Sequence, residues 1–186
     1  VSLDVRIVHP LFQSQDEIIA PSSPLQLHIA EISVDKAMEL NALWHSMLPR
    51  TQKGNLLRNK YAMFFGAEFD GVFYATAIWT SPVAGNRLKD GDRLIELRRF
   101  AIASDAPANT ASRMLKVMRN LIQLKYPDII GFISYQDESK HSGTIYKASG
   151  WTATSRVENI DWTTATRERA DKQAATGIKT RWEYRL

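Results

Sequence analysis

The chain has 186 residues, a formal net charge of +4 and no cysteine, so disulfides, thiolate metal sites and a cysteine nucleophile are excluded. No apolar run approaches a membrane span or a secretory signal, which leaves one cytoplasmic α/β domain with a sizeable core as the expectation. The modest positive charge suits an anionic partner, coenzyme or nucleic acid, but it is weaker than the footprint of a dedicated DNA-binding domain.

Residues 1–24 read as an N-terminal arm with a short strand candidate, Leu3–Val8, and a Pro/Ser segment ending at Pro24. Leu25–Ala30 alternates and predicts a strand. Val34–Met47 has helical spacing, with Ser33 as its N-cap and Pro49 as its stop. Residues 50–60 are basic and read as a loop, either simply solvated or forming a lip over an anionic ligand. Tyr61–Phe69 and Val72–Thr80 are apolar strands joined at Asp70-Gly71, a strong hairpin signal. Ser81–Asp92 is a second loop.

The most informative stretch is Arg93–Trp151. Arg93–Ala103 alternates as a strand, and Thr110–Tyr126 carries a broad apolar stripe that Pro127 ends. Between them, Ala106–Arg113 is a small-residue turn whose following helix amides have no internal partner, an anion site suited to a pyrophosphate. Asp128–Tyr135 is a buried-looking strand, so strand, helix and strand form a parallel crossover. Ser139–Ser149 has helical spacing with Gly150 as C-cap, and Trp151–Thr154 opens a further strand. Residues 156–178 read as a polar insertion with a charged helix over Arg167–Ala175, and Lys179–Leu186 as the last strand. The sum is one mixed-sheet domain with helices on both faces.

The crossover resembles the GNAT acyltransferases. Their pyrophosphate turn commonly reads Arg/Gln-x-x-Gly-x-Gly/Ala. Here Ala106-Pro107-Ala108-Asn109-Thr110-Ala111 occupies it, with Ala106 at the Arg/Gln position and Asn109 in place of a glycine. Tyr146-Lys147-Ala148-Ser149-Gly150-Trp151 is similar to the family's Tyr-x-x-x-Gly-Phe. A narrower similarity, to the phage Mom family of GNAT-like DNA-base modifiers, is carried by Trp44–Pro49, Leu97–Phe100, Ser134–Asp137, His141–Tyr146 and Arg181–Leu186. These resemblances imply a GNAT fold, acetyl-CoA or another acyl-CoA as cofactor, and DNA as substrate. The best known Mom protein adds a carbamoylmethyl group to the adenine amino nitrogen. They also imply coenzyme contacts at Ala101, Ile102, Asn109, Thr110, Ala111, Ser112 and Arg113.

By the same resemblance Tyr146 is the general acid that protonates a leaving thiolate. The plainer alternative is a tyrosine packed at a helix end with its hydroxyl wet. Asp137 and His141 follow a strand end, where ligands gather in parallel sheets. Asp137 is a candidate base or base-edge acceptor, or else a helix N-cap. His141 is a candidate proton carrier. Strand alternation sends Arg98 and Arg99 to opposite sides, so one of them is expected in the site, and the Mom resemblance favours Arg99. Glu96 is a possible base or an arginine's partner. Trp44, His45 and Tyr135 are candidate substrate contacts, with Trp44 suited to stacking on a purine. No short two-histidine motif is present, and no metal is expected. Two rival functions remain open at this stage: an N-acetyltransferase of a small amine or an amine-bearing modified base, and a non-catalytic nucleic-acid-binding module.

Overall fold

Asp70 and Gly71 both take left-handed φ angles, 50° and 77°, so the predicted hairpin closes through a two-residue turn of the primed type. It joins β2 (Met63–Phe69) to β3 (Val72–Thr80). The computed structural model describes residues 20–45, 52–82, 93–159 and 177–186. The Leu3–Val8 strand, the Met47–Pro49 helix end and the Arg167–Ala175 helix expected from the sequence lie outside them.

Seven strands form one sheet in the order β1-β2-β3-β4-β5-β7-β6. The remaining strands are β1 (His28–Glu31), β4 (Leu94–Ile102), β5 (Gly131–Asp137), β6 (Thr152–Asn159) and β7 (Gly177–Arg185). Among the described residues only β4 and β5 pair in parallel, with α3 (Thr110–Lys125) between them in the chain. The sheet is therefore mixed, as expected. Alternation along β2 sorts the two cores. Phe65 joins Trp79, Phe132 and the α3 stripe Met114, Leu115, Met118 and Ile122, whereas Phe64 joins Ile78, Ala37 and Leu56. Ala37 belongs to α1 (Val34–Trp44) and Leu56 to α2 (Lys53–Leu57), so helices cover both faces. Trp79, fully buried, satisfies its indole N–H on the Met118 sulfur at 3.2 Å.

Several boundaries differ from the sequence expectation. Pro24–Gln26 is a 3-10 turn because Ser23 and Gln26 make a reciprocal capping box, which shortens β1 to His28–Glu31. Lys53–Leu57 is helical rather than loop, pinned by the fully buried Leu56. β6 continues through Asn159, beyond Thr154, because it finds β7 as a partner. No helix among the described residues is long and apolar enough to cross a membrane.

Candidate active site

β4 and β5 pair only from Leu94↔Gly131 to Leu97↔Ser134, although β4 runs on to Ile102 and β5 to Asp137. Beyond Leu97 the two strands part. The wedge between them is a cleft of about 450 Å³, lined on one side by Leu97–Ile102 and on the other by Ser134–Gln136. The edge of β4 that faces the wedge therefore carries backbone groups unpaired with β5. Such an edge suits an extended ligand that adds itself as a strand would.

The β4 alternation is broken at the apex of this wedge, next to the last paired residue Leu97. Ile78 pairs with Arg99 and Trp79 with Leu97, so Arg98 is the extra residue of a β-bulge. The bulge corrects the expectation that one arginine would face the site, because both Arg98 and Arg99 line the cleft. Arg99 is half-buried and donates to the Arg98 carbonyl at 2.8 Å, while its Nε has no hydrogen-bond partner. Burial, and then the charge of Arg98, lower its pKa, while Glu96 opposes them.

Tyr146 is held by the short helix α4 (Thr144–Ala148). The helix ends in a complete Schellman motif. The Trp151 amide donates to the Tyr146 carbonyl at 3.0 Å and the Gly150 amide to the Lys147 carbonyl at 3.1 Å. Gly150 supplies the left-handed residue, at φ 79°. The usual apolar contact across such a cap is here Trp151 against the Tyr146 ring, edge-on at 5.6 Å. Tyr146-x-x-x-Gly150-Trp151 is thus a helix stop that fixes the tyrosine. The other ring face stacks on Trp182 at 5.3 Å. The phenol oxygen is 2.8 Å from the Ser134 hydroxyl. Burial raises the Tyr146 pKa and the Ser134 bond partly offsets this. Arg119, buried on α3, braces the end of α4 by donating to the Ser149 carbonyl at 2.9 Å.

The cleft gathers Trp44, His45, Arg99, Ala101, Ile102, Tyr135, His141 and Tyr146 from the sequence candidates, and adds Ser134, Gln136, Lys140 and the loop Ser142–Thr144. Asp137 is not among the lining residues. Its carboxylate accepts from the Ser139 amide at 2.9 Å and the Ser139 hydroxyl at 2.6 Å, an Asx turn. Those bonds, led by the Ser139 hydroxyl, lower its pKa and make it a poor base. The turn also cuts the expected Ser139–Ser149 helix down to α4.

The α3 turn is likewise outside the cleft lining, and its groups divide. The Thr110 amide and hydroxyl both donate to the Pro107 carbonyl, at 3.2 and 2.6 Å, and Thr110 is buried. It is therefore corrected from ligand contact to turn brace. Ser112 spends its hydroxyl proton on the Asn109 carbonyl, and Arg113 donates to the Leu27 carbonyl. Among the described residues, the Ala111 and Ser112 amides make no backbone hydrogen bond. Asn109 stands at φ 65°, the left-handed region that asparagine tolerates better than other side chains, which explains how it replaces a glycine. No group of metal-ligating residues occurs among the described residues.

Solved structures share this architecture. The ribosomal-protein-S18-alanine N-acetyltransferase of Escherichia coli aligns at a TM-score of 0.60 and 11% identity, covering 86% of this chain and 94% of that one. A probable acetyltransferase from Staphylococcus epidermidis aligns at 0.62 and 13%, covering 86% and 99%. A putative acetyltransferase from Salmonella typhimurium, solved with its cofactor acetyl-CoA, aligns at 0.59 and 9%, covering 87% and 94%. At these identities the likeness establishes the GNAT fold. No curated protein sequence matches the chain at a significant level. The profile of the Mom protein family matches residues 26–184, nearly the whole described chain and every element of the cleft; the chain belongs to the Mom protein family.

Proposed function

We propose that this chain is an acyl-CoA-dependent transferase that modifies a base in DNA, with the adenine amino group as the preferred acceptor. The observation that carries the reading is the charge of the cleft. Arg98, Arg99, Lys140, His45 and His141 line it, with Trp44 and Tyr135, and no carboxylate does so among the described residues. A small cationic amine would meet the like charge of Arg98, Arg99 and Lys140 there and find no carboxylate to pair with it. A nucleobase amine is neutral before attack and comes attached to phosphates, so it suits cationic walls and aromatic faces. The base must leave the duplex to enter, at a cost of a few kcal/mol.

The residues present fit an acyl-coenzyme A. The free edge of β4 over Phe100–Ile102 can pair with the extended arm, and the Ala111 and Ser112 amides can hold the pyrophosphate at the α3 N-terminus. The Salmonella relative solved with acetyl-CoA supports the same assignment. When bound, the coenzyme supplies an activated acyl group and a thiol leaving group. Tyr146 holds a proton at its phenol oxygen beside the parting strands, Arg99 offers guanidinium donors to a developing negative charge, and His141 at the rim can carry a proton to solvent. Asp137 serves as the turn cap rather than the base.

Acetyl-CoA should raise the melting temperature with dose, by about 5–10 °C at a concentration about a hundred times its Kd. An unchanged melting curve at millimolar coenzyme would remove the coenzyme from the reading. Expression in a bacterial host, followed by digestion of the DNA and mass analysis of its nucleosides, tests the acceptor. A heavier deoxyadenosine is expected. Unaltered nucleosides together with acetylation of a free amine would replace DNA with a small-amine substrate.

A further inference from the structure

We propose that Ser134 is a positioning residue that governs the proton on Tyr146 by switching its own hydroxyl between two acceptors, an inference that rests on the general-acid reading of Tyr146. Ser134 is 2% exposed, and its hydroxyl oxygen sits 3.1 Å from the Leu97 carbonyl and 2.8 Å from the Tyr146 phenol oxygen. A serine hydroxyl has one proton and two lone pairs, and a carbonyl can only accept. The Leu97 contact therefore takes the serine proton, and at the second contact Tyr146 is the donor. Leu97 and Ser134 are the last paired residues before β4 and β5 part, so the switch sits at the apex of the cleft.

To act as the acid, the phenol O–H turns from Ser134 toward the cleft and passes its proton to a thiolate leaving group there: an S–H bond forms as the O–H bond breaks, and the O–H electron pair stays on the tyrosine oxygen. That anion is now buried, with Trp182 and Trp151 against the ring. Rotation of the serine O–H from the Leu97 carbonyl onto the phenolate, 2.8 Å away, then supplies the missing donor. Reprotonation of the phenol reverses the rotation. The titratable and charged side chains that line the cleft with Tyr146 are Arg98, Arg99, Lys140, His45 and His141. The phenol's hydrogen-bond partner at this point is the Ser134 hydroxyl.

The test replaces tyrosine with a ring-fluorinated analogue, whose phenol ionises at lower pH, and follows the fluorine resonances with pH. The chain has six tyrosines, and the Tyr146→Phe variant identifies the relevant signal by its loss. Ser134→Ala should move the Tyr146 midpoint upward. It should also slow thiol release from acetyl-CoA in the presence of single-stranded DNA by roughly tenfold, the scale of one hydrogen bond to a charged group. In a Tyr146→Phe background the same substitution should cost nothing further, because Ser134 acts through that phenol. An unmoved midpoint, or a cost undiminished in that background, overturns the switch. If instead Tyr146→Phe alone leaves turnover near wild type, the general-acid reading has failed and the switch falls with it, whatever the midpoint does.

Discussion

Tyr146→Phe should lower turnover by about 10²-fold or more, the scale of a lost general acid. Coenzyme affinity should change little, since the groups that fit the coenzyme are backbone amides and a strand edge remote from the phenol. The fold should persist: the ring keeps its stack on Trp182 and its edge contact with Trp151, and one hydroxyl is lost. Ser134 then lacks its phenol donor but keeps the Leu97 carbonyl, a loss of about 1 kcal/mol. Burial disfavours the phenolate, so the phenol is protonated at neutral pH, as an ordinary tyrosine is, and stays so further into the alkaline range. The folded phenol holds its proton more tightly than an unfolded one. Stability is therefore lost as pH rises above the ordinary tyrosine range, and the phenylalanine variant escapes that part of the alkaline loss. Turnover, coenzyme affinity and melting temperature measured on this variant separate the readings. Turnover close to wild type would reduce Tyr146 to a packing residue.

The sequence was legible where one local rule acted without competition. Asp70-Gly71 gave the hairpin, Ser33 the N-cap of α1 through the Lys36 amide, and Gly150 the end of α4. It misled where two rules applied to the same residues. Alternation placed Arg98 and Arg99 on opposite sides, but the bulge opposite Ile78 and Trp79 puts both in the cleft. A bulge is a property of two paired strands, and β3 lies some twenty residues upstream. Helical spacing over Ser139–Ser149 was real, yet the Asp137–Ser139 Asx turn and the left-handed Gly143 delay the helix to Thr144. The insertion of β7 between β5 and β6 had no local signature, because it rests on pairing across a segment of polar sequence.

The candidate site shows the same division. The candidate side chains were visible by type: Trp44, His45, Arg99, His141 and Tyr146 all line one cleft. The residues that hold them were not. Ser134 and Gln136 fall in the Ser134–Asp137 segment that carries the Mom resemblance, but their residue types on a strand indicate no role. In the structure Gln136 accepts from the Trp182 indole at 2.7 Å and donates to the His141 carbonyl, tying the ring beneath Tyr146 to the loop above it.

Gly143→Ala should be the most damaging single-methyl change in the site. Gly143 opens α4 at φ 73°, where an alanine costs about 1–2 kcal/mol. A Cβ there would also press on the Gln136 side-chain oxygen and lie 2.6 Å from the Trp182 ring. Relief requires Gln136 to give up the Trp182 indole, leaving a buried donor unsatisfied at a further ~1–3 kcal/mol. The total, roughly 2–5 kcal/mol, corresponds to a fall in melting temperature of about 5–15 °C for a chain of this size. Gly150→Ala is the control. Its φ of 79° carries the same backbone strain, but the nearest atom to a Cβ is a Tyr184 ring carbon at 3.7 Å, an ordinary contact. It should lose only the backbone share, less than half as much. Activity should follow the same order, because Gly143→Ala displaces Trp182 and with it the face on which Tyr146 stacks. Equal melting temperatures for the two variants would mean that Gln136 and Trp182 give way freely, and the packing account of the site would have to be abandoned.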